Sequence, residues 1–175
     1  MAGLLQRLRG DRRGVSAVEF ALLAPVMIAF YFGLCEFAQA FMAQQRMGHA
    51  SATVADLVTQ TQGVTQADID DIFSVGGVIM SPFPADSLRQ RVTSLTMDNR
   101  GRAKVDWSRG DGMSPLSNGA TVAIPDGLIE EDQTIVMAEV EYDFDSPVDF
   151  LLPALTQFSN TYYLRPRRVD FIALD

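Results

Sequence analysis

The chain has 175 residues, 47% of them apolar, and a formal net charge of −8 at pH 7. This apolar content is enough for a packed core, so a largely disordered chain is excluded, and the length suits one domain with an anchor segment. The acidic balance argues against binding to nucleic acid, which depends on clustered Lys and Arg.

The first fourteen residues form a short basic leader with four arginines against one aspartate: Arg7, Arg9, Asp11, Arg12 and Arg13. An apolar stretch follows, and Phe20 to Cys35 contains no charged residue. As a helix, residues 20–41 would measure about 33 Å, which matches a hydrocarbon core of about 30 Å. Arginines on the N-terminal side predict a cytoplasmic N-terminus and an extracytoplasmic remainder.

A seven-residue motif joins the leader to the apolar stretch, with the sequence GVSAVEF from Gly14 to Phe20. Glu19 abuts the apolar stretch, where a carboxylate is unfavourable unless it has a function. Cleavage after Gly14 would make Val15 a new N-terminus and Glu19 its fifth residue. Glu19 and the adjacent Phe20 are therefore candidate functional residues, and Gly14 and Val15 flank a candidate cleavage site.

This layout resembles a prepilin leader, and the sequence RRGVSAVEFAL from Arg12 to Leu22 resembles the TadE-like (TadE/TadG) proteins of tight-adherence, Flp-type pilus systems. The resemblance implies a pilin-like subunit, a minor pilin or pseudopilin, that assembles or primes adhesive pili. It implies cleavage between Gly14 and Val15 by a prepilin peptidase, after which Glu19 would pair with the amine of a neighbouring subunit.

The same resemblance implies a single-pass protein of the bacterial inner membrane. Its implied partners are the peptidase, other pilin or pseudopilin subunits and the inner-membrane assembly platform. We expect no enzymatic activity, no cofactor and no metal. One alternative is ordinary export, because Ala38-Gln39-Ala40 is an A-x-A site that would release a soluble domain beginning at Phe41. Another is an unprocessed anchor that carries an extracytoplasmic ligand-binding domain.

The helical period continues beyond the apolar stretch, with Met47, Val54, Leu57 and Val58 on one face. We therefore predict three segments: a leader over residues 1–14, a membrane and extended helix over 15–62, and an α+β domain over 63–175. A second helix is expected from the N-cap Thr65 to Val75, with Asp68 completing a capping box. Gly76-Gly77 is expected to end it.

The remaining sequence favours β-strands. Residues 92–97 and 102–108 flank a turn-prone tetrapeptide and predict a hairpin, in which Trp107 shares a core-facing side with Ala103 and Val105. Further strands are expected at 121–124, 134–145 and 161–168, where Pro166 favours an edge position or a bulge. Residues 150–158 suggest a short helix or a packed loop. Helices followed by consecutive strands indicate an α+β fold with an antiparallel sheet.

Four carboxylates alternate with apolar residues along the strand at 134–145: Glu139, Glu141, Asp143 and Asp145. A period of two places them on one face. They could bind a cation, or act in glycoside hydrolysis, but the interpretation we favour is a solvated face that is balanced by cross-strand basic residues such as Arg102, Lys104, Arg165 or Arg167.

Residues for other catalytic chemistry are scarce. His49 is the only histidine, so a histidine-rich metal site is impossible, and any Ser-His-Asp triad would have to use it. Its position on the first helix favours a surface or packing role. Cys35 is the only cysteine, and we expect it to fill space within the helix.

Overall fold

The computed structural model describes residues 14–146 and 157–174, so residues 1–13 of the leader and most of segment 150–158 lie outside the described residues. The fold is α+β, as predicted, with a long N-terminal helix followed by an antiparallel sheet. Its helices and strands, in chain order, are α1 (Val15–Thr59), β1 (Gly63–Val64), α2 (Gln66–Ile79), β2 (Leu88–Met97), β3 (Ala103–Asp111), β4 (Thr121–Val122), β5 (Thr134–Asp143), β6 (Gln157–Leu164) and β7 (Ala173–Leu174).

Helix α1 has 45 residues, which gives a length of about 68 Å at 1.5 Å per residue. It begins directly after Gly14 and continues through Pro25. It ends at Thr59 rather than near Gln62, because Gly63–Val64 forms a parallel pair with Ala173–Leu174. This small two-stranded sheet was not predicted.

Helix α2 has the predicted capping box, since the Thr65 hydroxyl accepts the Asp68 backbone N–H and the Asp68 carboxylate accepts the Thr65 backbone N–H. The prediction that Gly76-Gly77 ends this helix was wrong, because both glycines lie inside α2. A Cβ at Gly76 would collide with the Gln90 side chain, which is buried beneath the helix and donates a hydrogen bond to the Phe73 carbonyl (2.9 Å). Glycine at this position therefore permits close packing of helix on sheet rather than stopping the helix.

The main sheet has the strand order β4-β3-β2-β5-β6, and all its neighbouring strands are antiparallel. The β2–β3 hairpin and β5 confirm the predicted strands with small shifts at their ends. The last predicted strand begins four residues early and ends at Leu164, before Pro166, which has no N–H to donate to a partner strand. Of the two predicted alternatives, an edge position or a bulge, the structure shows the edge position.

A β-bulge divides β3 into two parts. Ser94 pairs with Trp107 and Leu95 pairs with Val105, so Asp106 has no partner residue on β2. The extra residue reverses the alternation of side chains. Trp107 therefore packs with the helices, whereas Ala103 and Val105 pack on the opposite face of the sheet, and the prediction of one shared side was wrong. Trp107 is nevertheless a core residue, and its indole N–H donates to the Ile172 carbonyl at 2.7 Å.

The two faces of the sheet pack differently. Helices α1 and α2 cover one face and form two clusters, around Val58, Ile69 and Val136 and around Met47 and Tyr142. On the other face, the segments between β3 and β5 cover a smaller cluster around Leu95 and Ile135. The rest of that face carries the acidic residues of β5.

Candidate functional site

The predicted cleavage residues lie at the very start of α1. Gly14 is the residue before the helix, with φ −80° and ψ −18° and no side-chain cap, and Val15 is the first helical residue. Both are exposed, as are Glu19 and Phe20. The structure therefore places Val15 and Glu19 about one turn apart on one accessible helix.

The N-terminal half of α1 is apolar on every side and nearly all exposed. Its exposed large side chains are Val15, Val18, Phe20, Leu22, Leu23, Val26, Met27, Ile28, Phe30, Tyr31, Phe32 and Leu34. The mean hydropathy of its most apolar window is 2.0, so this helix is long and apolar enough to cross a membrane. Glu19 is the one charged residue between Val15 and Cys35.

The C-terminal half of the same helix packs onto the sheet. Its buried residues recur at helical spacing and are mostly small: Glu36, Ala40, Ala43, Met47, Ala50, Ser51, Val54, Ala55, Val58 and Thr59. Small side chains let the helix approach the strands closely. The Asn160 amide on β6 donates to the Ser51 hydroxyl at 2.6 Å, which in turn donates to the Gly48 carbonyl.

Glu36 marks the change between the two halves. It is the first residue of the buried face and is 0% exposed, whereas Phe37 beside it is 62% exposed. Its burial was not predicted, because an isolated carboxylate at the end of an apolar stretch gives no periodic signal that would assign it to the packed face.

Glu139, Glu141 and Asp143 alternate along β5 with buried apolar residues, as their spacing predicts, whereas Asp145 lies beyond the end of the strand. However, their basic partners lie on β2, not at the four predicted positions. The Arg91 guanidinium holds Glu139 with two hydrogen bonds, at 2.7 and 2.8 Å, and Arg89 lies 3.0 Å from Asp143 and 3.3 Å from Glu141.

The four predicted basic residues make other contacts: Arg102 with Asp98, Lys104 with Thr121, Arg165 with the Leu128 carbonyl and Arg167 with Asp56. The reason is the register between β2 and β5. It places Arg89 directly opposite Glu141 and Arg91 directly opposite Glu139, whereas the predicted basic residues lie elsewhere.

Local contacts shift several pKa values around the sheet. The hydrogen bond to Glu139 raises the pKa of Arg91 above its ordinary value. Contacts from Arg102 lower the pKa of Asp98 to about 2. Burial raises the pKa of Asp106, although Ser94 and Thr96 both donate hydroxyl hydrogen bonds to its carboxylate.

Other candidate residues lie apart from one another. His49 is exposed on α1, and Cys35 is partly buried on the same helix. Within residues 14–146 and 157–174, no group of three or more His, Cys, Asp or Glu side chains is arranged to hold a metal ion.

These features define a protein with one N-terminal helix capable of spanning a membrane, continuous with a small α+β domain that packs on its second half. A protein-family model described as "TadE-like protein" matches residues 14–56, about a quarter of the chain. The match begins at Gly14 and ends within the packed half of α1, and it confirms the resemblance inferred from the sequence. No curated protein and no solved structure matches the chain.

Proposed function

We propose that this chain is a minor pilin or pseudopilin that is cleaved between Gly14 and Val15 and assembles or primes tight-adherence pili. The family match supports the coarser statement, an association with such pili. The proposed partners are a prepilin peptidase, other pilin subunits and the inner-membrane assembly platform. The role is structural, and no catalytic step is assigned to the chain.

The observation that carries this proposal is the unburied half of α1. A helix with exposed large apolar side chains on all sides is unfavourable in water and needs either lipid or other helices around it. Lipid would surround it before assembly, and neighbouring subunits would surround it in the pilus. The packed half and the sheet domain would then lie outside the membrane.

Glu19 has a defined part in this assembly. After cleavage, Val15 would carry an α-ammonium group at the end of an apolar helix, where an uncompensated charge is costly. The carboxylate of Glu19 from an adjacent subunit would compensate this charge. Since no other charged residue lies between Val15 and Cys35, this pairing would set the axial position of one subunit against the next.

The alternative of ordinary export fits the packing less well. A cut after Ala40 would remove the buried Glu36 and also Ala40, which packs in the cluster around Met47 and Tyr142, from a helix that is continuous through this site. An unprocessed anchor with a ligand-binding domain agrees with the packing and is distinguished by the state of the N-terminus.

The proposal is tested by the N-terminal sequence and intact mass of the membrane-fraction protein, with and without the prepilin peptidase of the host. We expect a start at Val15 that depends on the peptidase. A start at Phe41 would indicate export, and an intact Met1 in the presence of the peptidase would indicate an unprocessed anchor. Either of these results would refute the proposal.

The role of Glu19 is tested by Glu19→Ala and the isosteric Glu19→Gln, with Asp71→Ala on the exposed face of α2 as a matched loss of a carboxylate. We expect both Glu19 variants to insert into the membrane but to be lost from pili, and Asp71→Ala to behave like the unchanged protein. Immunoblots of membrane and sheared-pilus fractions measure both steps. Normal incorporation of Glu19→Gln would rule out the charge pairing.

A further inference from the structure

In the described part of the chain, one edge of the main sheet is formed by a long strand. Strand β6 (Gln157–Leu164) pairs with β5 along all eight of its residues, and no other strand in the described part of the chain pairs with its outer side. The opposite edge is different: β4 has only two residues, and beside it Val105 exchanges backbone hydrogen bonds with Gly119 and Ala120. The two edges of the sheet therefore differ in length, because β6 has eight residues and β4 has two.

The sequence of β6 lacks the features that normally protect an edge. Exposed edges usually carry Lys, Pro, a bulge or an inward-pointing charge, because their free N–H and C=O groups can pair with another strand. Residues 157–164 have the sequence QFSNTYYL, which contains no charge and no proline, and their pairing with β5 has no bulge. Arg165 and Pro166, which are residue types that protect an edge, come directly after the strand.

The side chains beside this edge favour a positively charged partner. On the face away from the helices, β6 presents the small exposed residues Ser159 and Thr161. They pair with Glu141 and Glu139 of β5. On this face β5 carries three carboxylates, Glu139, Glu141 and Asp143, against the two arginines of β2, so a negative excess of one charge remains. A strand added to β6 would lie about 10 Å from β5, and a Lys or Arg could reach across the small residues to these carboxylates.

The direction of α1 excludes one simple partner, a second copy paired edge to edge. Ser51 contacts Asn160 and the Thr59 carbonyl accepts the Arg167 backbone N–H, so α1 and β6 run in the same direction. A two-fold dimer with antiparallel β6 strands would turn the two α1 helices in opposite directions. Two such helices could not enter one membrane from the same side. This exclusion of a two-fold dimer rests on the membrane placement of α1 in the proposed function.

From these observations we infer that the outer edge of β6 binds an extended, lysine- or arginine-bearing segment of another extracytoplasmic protein as an added strand. Backbone hydrogen bonds to β6 supply the binding, and the carboxylates of β5 select the charge of the segment. The interface is separate from the apolar half of α1, so one subunit can engage a membrane helix and an extended segment at the same time.

The test uses the full-length protein in detergent and fluorescein-labelled eight-residue peptides. The probe peptide alternates Thr and Lys, a second peptide has Glu in place of Lys, and a third keeps the Lys residues but has Pro in place of two central Thr. Fluorescence anisotropy at low ionic strength measures binding. We expect the Thr-Lys peptide to bind about tenfold or more tightly than either of the others.

Two variants locate the binding site. Thr161→Lys places a charge on the edge and should abolish binding of the Thr-Lys peptide. Asn118→Lys changes the net charge equally in an exposed loop and should leave the affinity within about twofold. Equal binding of the Lys peptides with and without Pro, or unchanged binding to Thr161→Lys, would overturn the inference because charge alone would then account for it.

A photocrosslinker at Thr161 in cells identifies the natural occupant. A crosslinked peptide from another protein with alternating Lys or Arg, lost when Ser159→Lys is added, supports the inference. A crosslink only within this chain, for example to residues 147–156, or only to a second copy overturns it. The peptide assay requires neither cleavage nor pili. A negative peptide result would therefore refute the binding of a strand to β6 without affecting the proposed role of Glu19, and a negative result for Glu19 would not affect the peptide assay.

Discussion

The two halves of α1 belong to one continuous helix but meet different surroundings. From Val15 to Cys35 the helix is apolar all round and almost entirely exposed, whereas from Glu36 to Thr59 one face is buried against the sheet domain. The first half has large side chains such as Phe and Leu, while the buried face of the second half is rich in Ala. Within the described residues, the domain therefore packs against only the second half of this helix, and the proposed function assigns lipid or neighbouring subunits to the first half.

The largest expected effect is a difference in the free energy of unfolding between two substitutions to alanine, one in each half of α1. Met47→Ala removes a side chain that is 2% exposed, whereas Phe30→Ala removes one that is 67% exposed. We expect Met47→Ala to lower the free energy of unfolding of the domain by about 2–5 kcal/mol, because it leaves a cavity between α1 and β5. Phe30→Ala should leave the free energy of unfolding of the domain unchanged.

Urea unfolding in detergent, followed by tryptophan fluorescence, measures both variants because Trp107 lies in the helix-facing core. Equal destabilisation by the two substitutions would mean that the exposed half also supports the domain, and the comparison would fail.

A smaller effect is expected at the polar contact between helix and sheet. Asn160→Ala removes the amide that donates to Ser51, and Ser51 keeps its bond to Gly48. We expect a loss of about 1 kcal/mol in the free energy of unfolding, the usual net contribution of one hydrogen bond. Ser159→Ala, on the other face of β6, is the matched control, and chemical denaturation of the two variants should separate them.

The smallest effect is a pH dependence within the packed region. Burial raises the pKa of Asp106 above its ordinary value of 3.8, so the folded state holds its proton more tightly than the unfolded state. This carboxyl group therefore contributes a decrease in stability as pH rises from about 4 through its folded pKa. The Asp98 pKa is lowered to about 2, and it contributes an increase in stability between about pH 2 and 4.

Thermal unfolding of Asp106→Asn and Asp98→Asn between pH 2 and 6 separates the two contributions. Asp106→Asn should remove the decrease in stability that occurs as pH rises above 4. Asp98→Asn should reduce the increase in stability that occurs as pH rises from 2 to 4. An unchanged profile for Asp106→Asn would mean that its carboxyl group titrates alike in the folded and unfolded states.

Much of the fold could be predicted because it depends on local periodicity. The apolar run of α1, the face marked by Met47 and Val58, the capping box at Thr65 and the alternation along β5 are all repeats or spacings that can be read from the chain. The resemblance near Gly14 and Glu19 is also a local pattern, which the family match confirms.

The features that were missed depend on contacts between distant segments. The bulge at Asp106 changes the side on which Trp107 packs, and it is defined only by the pairing of β3 with β2. Gly76 resembles a helix stop in the sequence, and only the packing of Gln90 beneath α2 explains it. The partners of Glu139 and Glu141 required the register between β2 and β5, which strand prediction alone does not supply.

The absence of any linker between the exposed and packed halves of α1 has a mechanical consequence. The residues that would sit in lipid and the residues that hold the sheet are turns of one helix, so the domain cannot swivel independently of its stem. If the exposed half of α1 moves out of the bilayer by the length of one residue, the domain moves by about 1.5 Å. If the exposed half rotates about its axis, the domain rotates through the same angle. The helix would act as a rigid shaft that transmits force and torque from the membrane to the outer domain.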